Sequence, residues 1–149
     1  MIEWDREVKQ LGERLLALLC QGLGVDASKL KDMSCSEGRL MVGHYYPYCP
    51  EPEKTLGIGC HSDPGILTVL LQDQLGGLQV KHNGRWVEVK PVHGALVINI
   101  GHLLQVLNSY SLCMHICAMC LYISAASVFH PQPLLGSNSI PWCVHSFMD

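Results

Sequence analysis

The run from Leu78 to Val89, LQVKHNGRWVEV, leaves the backbone little choice. Asn83-Gly84 lies between two short β-prone runs, and a type I′ turn, which needs positive φ at both central residues, accepts Asn and Gly most readily. A two-residue loop fixes the register, so that His82 opposes Arg85, Val80 opposes Val87 and Leu78 opposes Val89. Leu78, Val80, Val87 and Val89 then share one face, which is expected to be buried. A chain that contains this segment is committed to an antiparallel pair, and the rest must supply partners for it.

Partners are present on both sides. Arg39 to Tyr46, Leu56 to Asp63, Ile66 to Gln72 and Val92 to Ile100 read as strands, the last turned by Gly101. In the first of them Leu40, Val42, His44 and Tyr46 fall on one face. Pro47, Pro50 and Pro52 exclude a helix or an interior strand and predict a stiff extended connector with Glu51, Glu53 and Lys54 exposed. Ahead of the strands, Trp4, Val8, Leu11, Leu15, Leu18 and Leu19 form the stripe of an amphipathic helix closed by Gly22 and Gly24. Asp26 is placed to cap a short helix through Leu30, and 33–38 reads as a loop. A helix followed by short strands predicts a mainly β fold, an antiparallel sandwich or barrel.

With 149 residues, 48% of them apolar and 15% charged, the chain can bury one substantial core and is not a disordered segment. A net charge of -3 gives no reason to expect nucleic acid or an anionic membrane as partner. The opening Met1-Ile2-Glu3-Trp4-Asp5 is acidic and carries no targeting pattern, which sets a cytoplasmic expectation. Cys20, Cys35, Cys49 and Cys60 are irregularly spaced and are expected to be reduced thiols.

Chemistry concentrates at His61-Ser62-Asp63. On an extended backbone His61 and Asp63 point the same way, one imidazole nitrogen beside one carboxylate oxygen. With a second histidine, such a pair makes the two-His-one-carboxylate set of non-haem iron sites, which leaves coordination positions open. On its own, His-x-Asp before Pro64-Gly65 also fits a surface turn.

The flanks of this pair, GHYYPYCPEPEKTLGIG before it and GILTVLLQDQLGGLQVKHNGRWVEVKPVHGALVINIG after it, carry many separated motifs in order. Over roughly residues 1 to 108 the chain closely resembles the plant-type iron- and 2-oxoglutarate-dependent dioxygenases, in particular the 1-aminocyclopropane-1-carboxylate oxidase homologues. The resemblance implies a helical segment at 1–37 lying on the wall of a double-stranded β-helix, or jelly roll, of which 38–108 is part and 109–149 a divergent tail. It implies Fe(II) held by His61 and Asp63, 2-oxoglutarate as co-substrate contacted by the Tyr46 hydroxyl, ascorbate as an accessory, and oxidation of a small organic substrate of specialised metabolism. His44 stands where the family motif has Asn, and His102 where it has Asp.

After residue 108 the pattern changes. Of the 23 Lys, Arg, Asp and Glu residues, 22 precede residue 91, and no Arg or Lys follows Lys90. The family's Arg-x-Ser, which clamps the far carboxylate of 2-oxoglutarate, therefore has no counterpart, although a buried carboxylate needs a charge-assisted partner. Cys117 occupies the position of the family's second histidine, and His115 is a candidate substitute ahead of His130 and His145. Cys113, Cys117 and Cys120 have a spacing also used for iron-sulfur clusters. The 18 uncharged residues of 112–129 reach the lower edge of membrane-spanning length. The favoured expectation is that the tail is not native to the fold, as from an unspliced intron or a frameshift. The chain is then an inactive remnant or binding module, with open sheet edges available for self-association.

Overall fold

A computed structural model describes residues 2–47, 49–51, 54, 57–104, 120–125 and 142–144. The chain opens with helix α1, Ile2–Gly22, and a short helix α2, Lys29–Asp32. Strands follow at β1 Gly38–Gly43, β2 Leu67–Leu70, β3 Leu78–His82, β4 Arg85–Glu88, β5 Val97–Ile100, β6 Cys120–Ala125 and β7 Trp142–Val144. The architecture is mainly β with an N-terminal helix, as the sequence predicts.

Helix α1 stops where its glycines place the stop. Gly24 has φ +71°, its N–H donates to the Gln21 carbonyl at 3.0 Å, and the Val25 N–H donates to the Cys20 carbonyl at 3.0 Å. These two bonds are the Schellman arrangement, which satisfies carbonyls that the helix end would leave unpaired. Val8, Leu16 and Cys20 are buried, flanked by Trp4, Leu11, Leu15 and Leu19. The stripe is rotated slightly from the expected one: Leu16 lies at its centre, whereas Leu18 is exposed at 61%. This face packs on Ile66, Leu67 and Val69 of the β2 segment, with Leu30, Cys35 and Leu104 completing the cluster. The N-cap of the second helix is Ser28 and not Asp26, which instead closes the turn ahead of the helix, its Oδ1 accepting the Ser28 N–H at 2.8 Å.

One charged contact fastens the helix to the sheet. Arg39 on β1 donates from Nε to Asp5 Oδ1 at 2.9 Å and from Nη2 to Asp5 Oδ2 at 3.0 Å, a two-pronged pairing across 34 positions of sequence. Hydrogen bonding by Arg39 holds the Asp5 carboxyl below the usual range for an aspartate. A carboxylate depressed on folding contributes stability above its unfolded value, about pH 4, and that contribution is lost as pH falls through the folded value. Asp5→Asn is therefore expected to lower stability at neutral pH and to flatten the acid limb of a stability-versus-pH curve, measured by urea denaturation. An unchanged acid limb removes Asp5 from the account.

The hairpin forms in the predicted register. Val80 pairs with Val87 and His82 with Arg85, the Val89 N–H donates to the Leu78 carbonyl at 2.9 Å, and Asn83 and Gly84 have φ of 49° and 73°. Its burial differs from expectation. Leu78 is buried with Val89 beside it, but Val87 is 46% exposed, because the apolar packing covers the base of the hairpin and not its tip.

Two sheets result, ordered β1-β6-β2-β5 and β4-β3-β7. The β2–β5 and β3–β4 pairs are antiparallel, as expected. The β1–β6, β6–β2 and β3–β7 pairs are parallel, a departure from an all-antiparallel sandwich. Cys120–Ala125, within the tail expected not to be native to the fold, also forms a strand. Its backbone fills the slot between β1 and β2, where ladder groups of both strands would otherwise stand unpaired. Among the described residues strand β5 is an edge: Val97 and Asn99 turn inward, and Ile98 and Ile100 face out. Among the described residues no helix is long and apolar enough to cross a membrane.

Candidate metal site

The segment that carries His61 and Asp63 is not the regular strand expected over Leu56 to Asp63. In its described part, 57–63, only His61 makes a bridge, and Asp63 sits at the entry to a bend. Gly57 and Gly59 disfavour a regular strand, and Pro64 removes a ladder donor directly after it. The consequence drawn from alternation nevertheless holds, since His61 Nε2 lies 3.3 Å from Asp63 Oδ1.

Each member of the pair is held from behind. Nδ1 of His61 lies 2.9 Å from the Gly59 carbonyl oxygen, which can only accept a hydrogen bond from it, and Nε2 is the nitrogen turned toward Asp63. Asp63 is buried, and its Oδ2 accepts the Thr68 hydroxyl at 2.6 Å and the Asn99 amide at 2.8 Å. Thr68 and Asn99 are directly opposite one another in the β2–β5 ladder, so two neighbouring strands aim one donor each at the same oxygen. The main chain is fixed as well, because the His102 N–H donates to the Asp63 carbonyl at 2.8 Å.

That last contact depends on Gly101. Its N–H donates to the Ile66 carbonyl at 2.8 Å, and a β-carbon placed on it would overlap the Gly65 carbonyl oxygen. The bend after Asp63 and the end of β5 thus approach as closely as backbones can, which only a residue without a side chain allows.

Tyr46 packs on Leu70 and Leu78, and its phenol is pushed above its ordinary value by burial. Leu70 and Thr68 alternate onto the same face of β2, so Tyr46 and the Asp63 network share one side of the sheet. The rings of His44 and Tyr46 stack with centroids 6.2 Å apart at 23°. Burial, and secondarily the charge of His61, lowers the His44 imidazole below its usual range. Of the four residues expected on one face, Val42, His44 and Tyr46 are half-buried, while Leu40 is exposed. His82 and His93 are exposed, and His102 enters the site through its main chain. His115, Cys117, His130 and His145 lie outside the described residues.

The donor set, one imidazole nitrogen and one carboxylate oxygen on the same side, suits a first-row divalent metal such as Fe(II). Among the described residues no group of three His, Cys, Asp or Glu side chains is arranged around one point. The fit to 2-oxoglutarate is poorer: Arg39 is engaged with Asp5, and nothing after Lys90 can offer a guanidinium or ammonium to its far carboxylate. The sequence marks Gly101 as the turn after the last strand but gives Thr68 and Asn99 no role. The available signal was a polar residue inside each of two apolar strands, Thr68 in LTVL and Asn99 in VINI.

Residues 37–131 match the model of the 2OG-Fe(II) oxygenase superfamily, a span that continues past residue 108. Over 109 residues, 73% of its length, the chain is 53% identical to 1-aminocyclopropane-1-carboxylate oxidase homolog 1 and 52% identical to homolog 4, both from Arabidopsis thaliana. It spans 30% and 31% of those relatives. A family match over most of the chain, with about half of the aligned residues identical to such relatives, makes this chain a member of the 2OG-Fe(II) oxygenase superfamily.

Proposed function

We propose that the chain carries the His-x-Asp part of the metal site of an Fe(II)- and 2-oxoglutarate-dependent dioxygenase acting on a small organic substrate. In this reading the strands are part of a double-stranded β-helix with α1 on its wall. His61 and Asp63 hold the metal, Tyr46 faces the co-substrate, and ascorbate, a cytoplasmic location and self-association through the edges at β4 and β5 belong to the same proposal. The carrying observation is the 3.3 Å approach of His61 Nε2 to Asp63 Oδ1, with the remaining atoms of both side chains already committed to the protein.

Bound there, Fe(II) would supply oxidative chemistry coupled to decarboxylation of 2-oxoglutarate to succinate. The chain's own contribution is to orient two ligands and to shield Asp63 beneath β2 and β5. As it stands the chain binds divalent metal weakly and turns over little or nothing. Two protein donors among the described residues and no cation after Lys90 leave both metal and co-substrate short of partners. Purified chain with Fe(II), 2-oxoglutarate and ascorbate is expected to form no succinate above a protein-free control. Succinate that disappears in His61→Ala would overturn the second half of the proposal and establish the first.

A further inference from the structure

We propose that Thr68 and Asn99 are positioning residues that restrict Asp63 to metal binding through a single oxygen, Oδ1. The inference rests on the metal-site reading above and concerns what sets its geometry. A carboxylate has two oxygens, and an unconstrained one can chelate a cation with both or rotate to offer either. Here Oδ2 takes two donors, the Thr68 hydroxyl at 2.6 Å and the Asn99 amide at 2.8 Å, so its lone pairs are used on the side away from His61. Oδ1 is left facing His61 Nε2 at 3.3 Å.

Rotation of the carboxylate is opposed at three points. Thr68 is 3% exposed and sits on the central strand β2, Asn99 is its direct cross-strand partner on β5, and the His102 N–H holds the Asp63 carbonyl at 2.8 Å. Freeing Oδ2 requires both donors to give up a buried acceptor, which is costly where water cannot replace it. One-oxygen binding leaves a coordination position that a chelating carboxylate would occupy. Groups that orient a metal ligand in this way typically change metal affinity by roughly 10- to 100-fold when removed.

The test is Co(II) binding to the full 149-residue chain, followed by its visible spectrum, which reports coordination number without turnover. Thr68→Val and Asn99→Ala are expected to bind roughly 10- to 100-fold more weakly and to shift the spectrum toward higher coordination. Thr68→Ser, which keeps the hydroxyl, is expected to restore both. Asn99 lies on an edge strand and is partly exposed, so Asn99→Ala keeps the measurement open if Thr68→Val does not fold. Unchanged affinity and spectrum in Asn99→Ala and Thr68→Val, with binding lost in Asp63→Ala, overturn the positioning role and leave the metal reading intact. Absence of Asp63-dependent Co(II) binding in the unsubstituted chain overturns both.

Discussion

Gly101→Ala is expected to destabilise the chain by about 2–3 kcal/mol, toward the upper end of what one extra methyl costs in a packed interior, and to disable the metal pair with it. The added β-carbon meets the Gly65 carbonyl group, which is backbone and cannot rotate away, with the Asp63 carbonyl 3.1 Å from the same point. Either the bend at 63–66 or the end of β5 must move. Both movements break the bonds from the Gly101 N–H to the Ile66 carbonyl and from the His102 N–H to the Asp63 carbonyl. Urea denaturation reads the stability, and Co(II) titration below the transition reads the site. A variant that keeps its stability but loses metal would show that the bend moves independently of the core. Unchanged values for both would mean that the two segments do not approach as described.

Asp63→Ala and His61→Ala are expected to abolish metal binding alike while differing in stability. Asp63 is the acceptor for two groups from neighbouring strands, and its removal leaves the Thr68 hydroxyl and the Asn99 amide without it. Orphaning a buried donor, here the Thr68 hydroxyl, costs about 1–3 kcal/mol, so Asp63→Ala should lower the urea midpoint clearly. The His61 side chain is 37% exposed and its Nδ1 contact is to the nearby Gly59 carbonyl, which water can satisfy in its place. His61→Ala should therefore fall within about 0.5 kcal/mol of the unsubstituted chain. Equal destabilisation by the two variants would contradict the division of the pair into one ligand built into the sheet and one presented at its surface.

What could be read from the residues alone was whatever local chemistry dictates. Asn83-Gly84 sets turn type, and with it the register of five residues on either side, so the hairpin is predictable pair by pair. Gly24 ends α1 because a left-handed residue is needed there, and His61 and Asp63 share a side because an extended backbone alternates. The failures are non-local. Val87 reads as buried because its apolar character is a local fact, whereas lying near a hairpin tip depends on what packs beside it. The anchoring of Asp63 was invisible for the same reason: Thr68 and Asn99 are 31 positions apart and meet only through the β2–β5 register. Strand β6 was missed because a slot between β1 and β2 has no signature in the residues that fill it.

The most direct test of the account is anaerobic Fe(II) binding by the purified chain and by His61→Ala, measured by equilibrium dialysis. The account predicts one Fe(II) site in the unsubstituted chain and its loss in His61→Ala, with the fold retained. Fe(II) bound equally by both would place the metal elsewhere and remove the His61–Asp63 pair from the function of this protein.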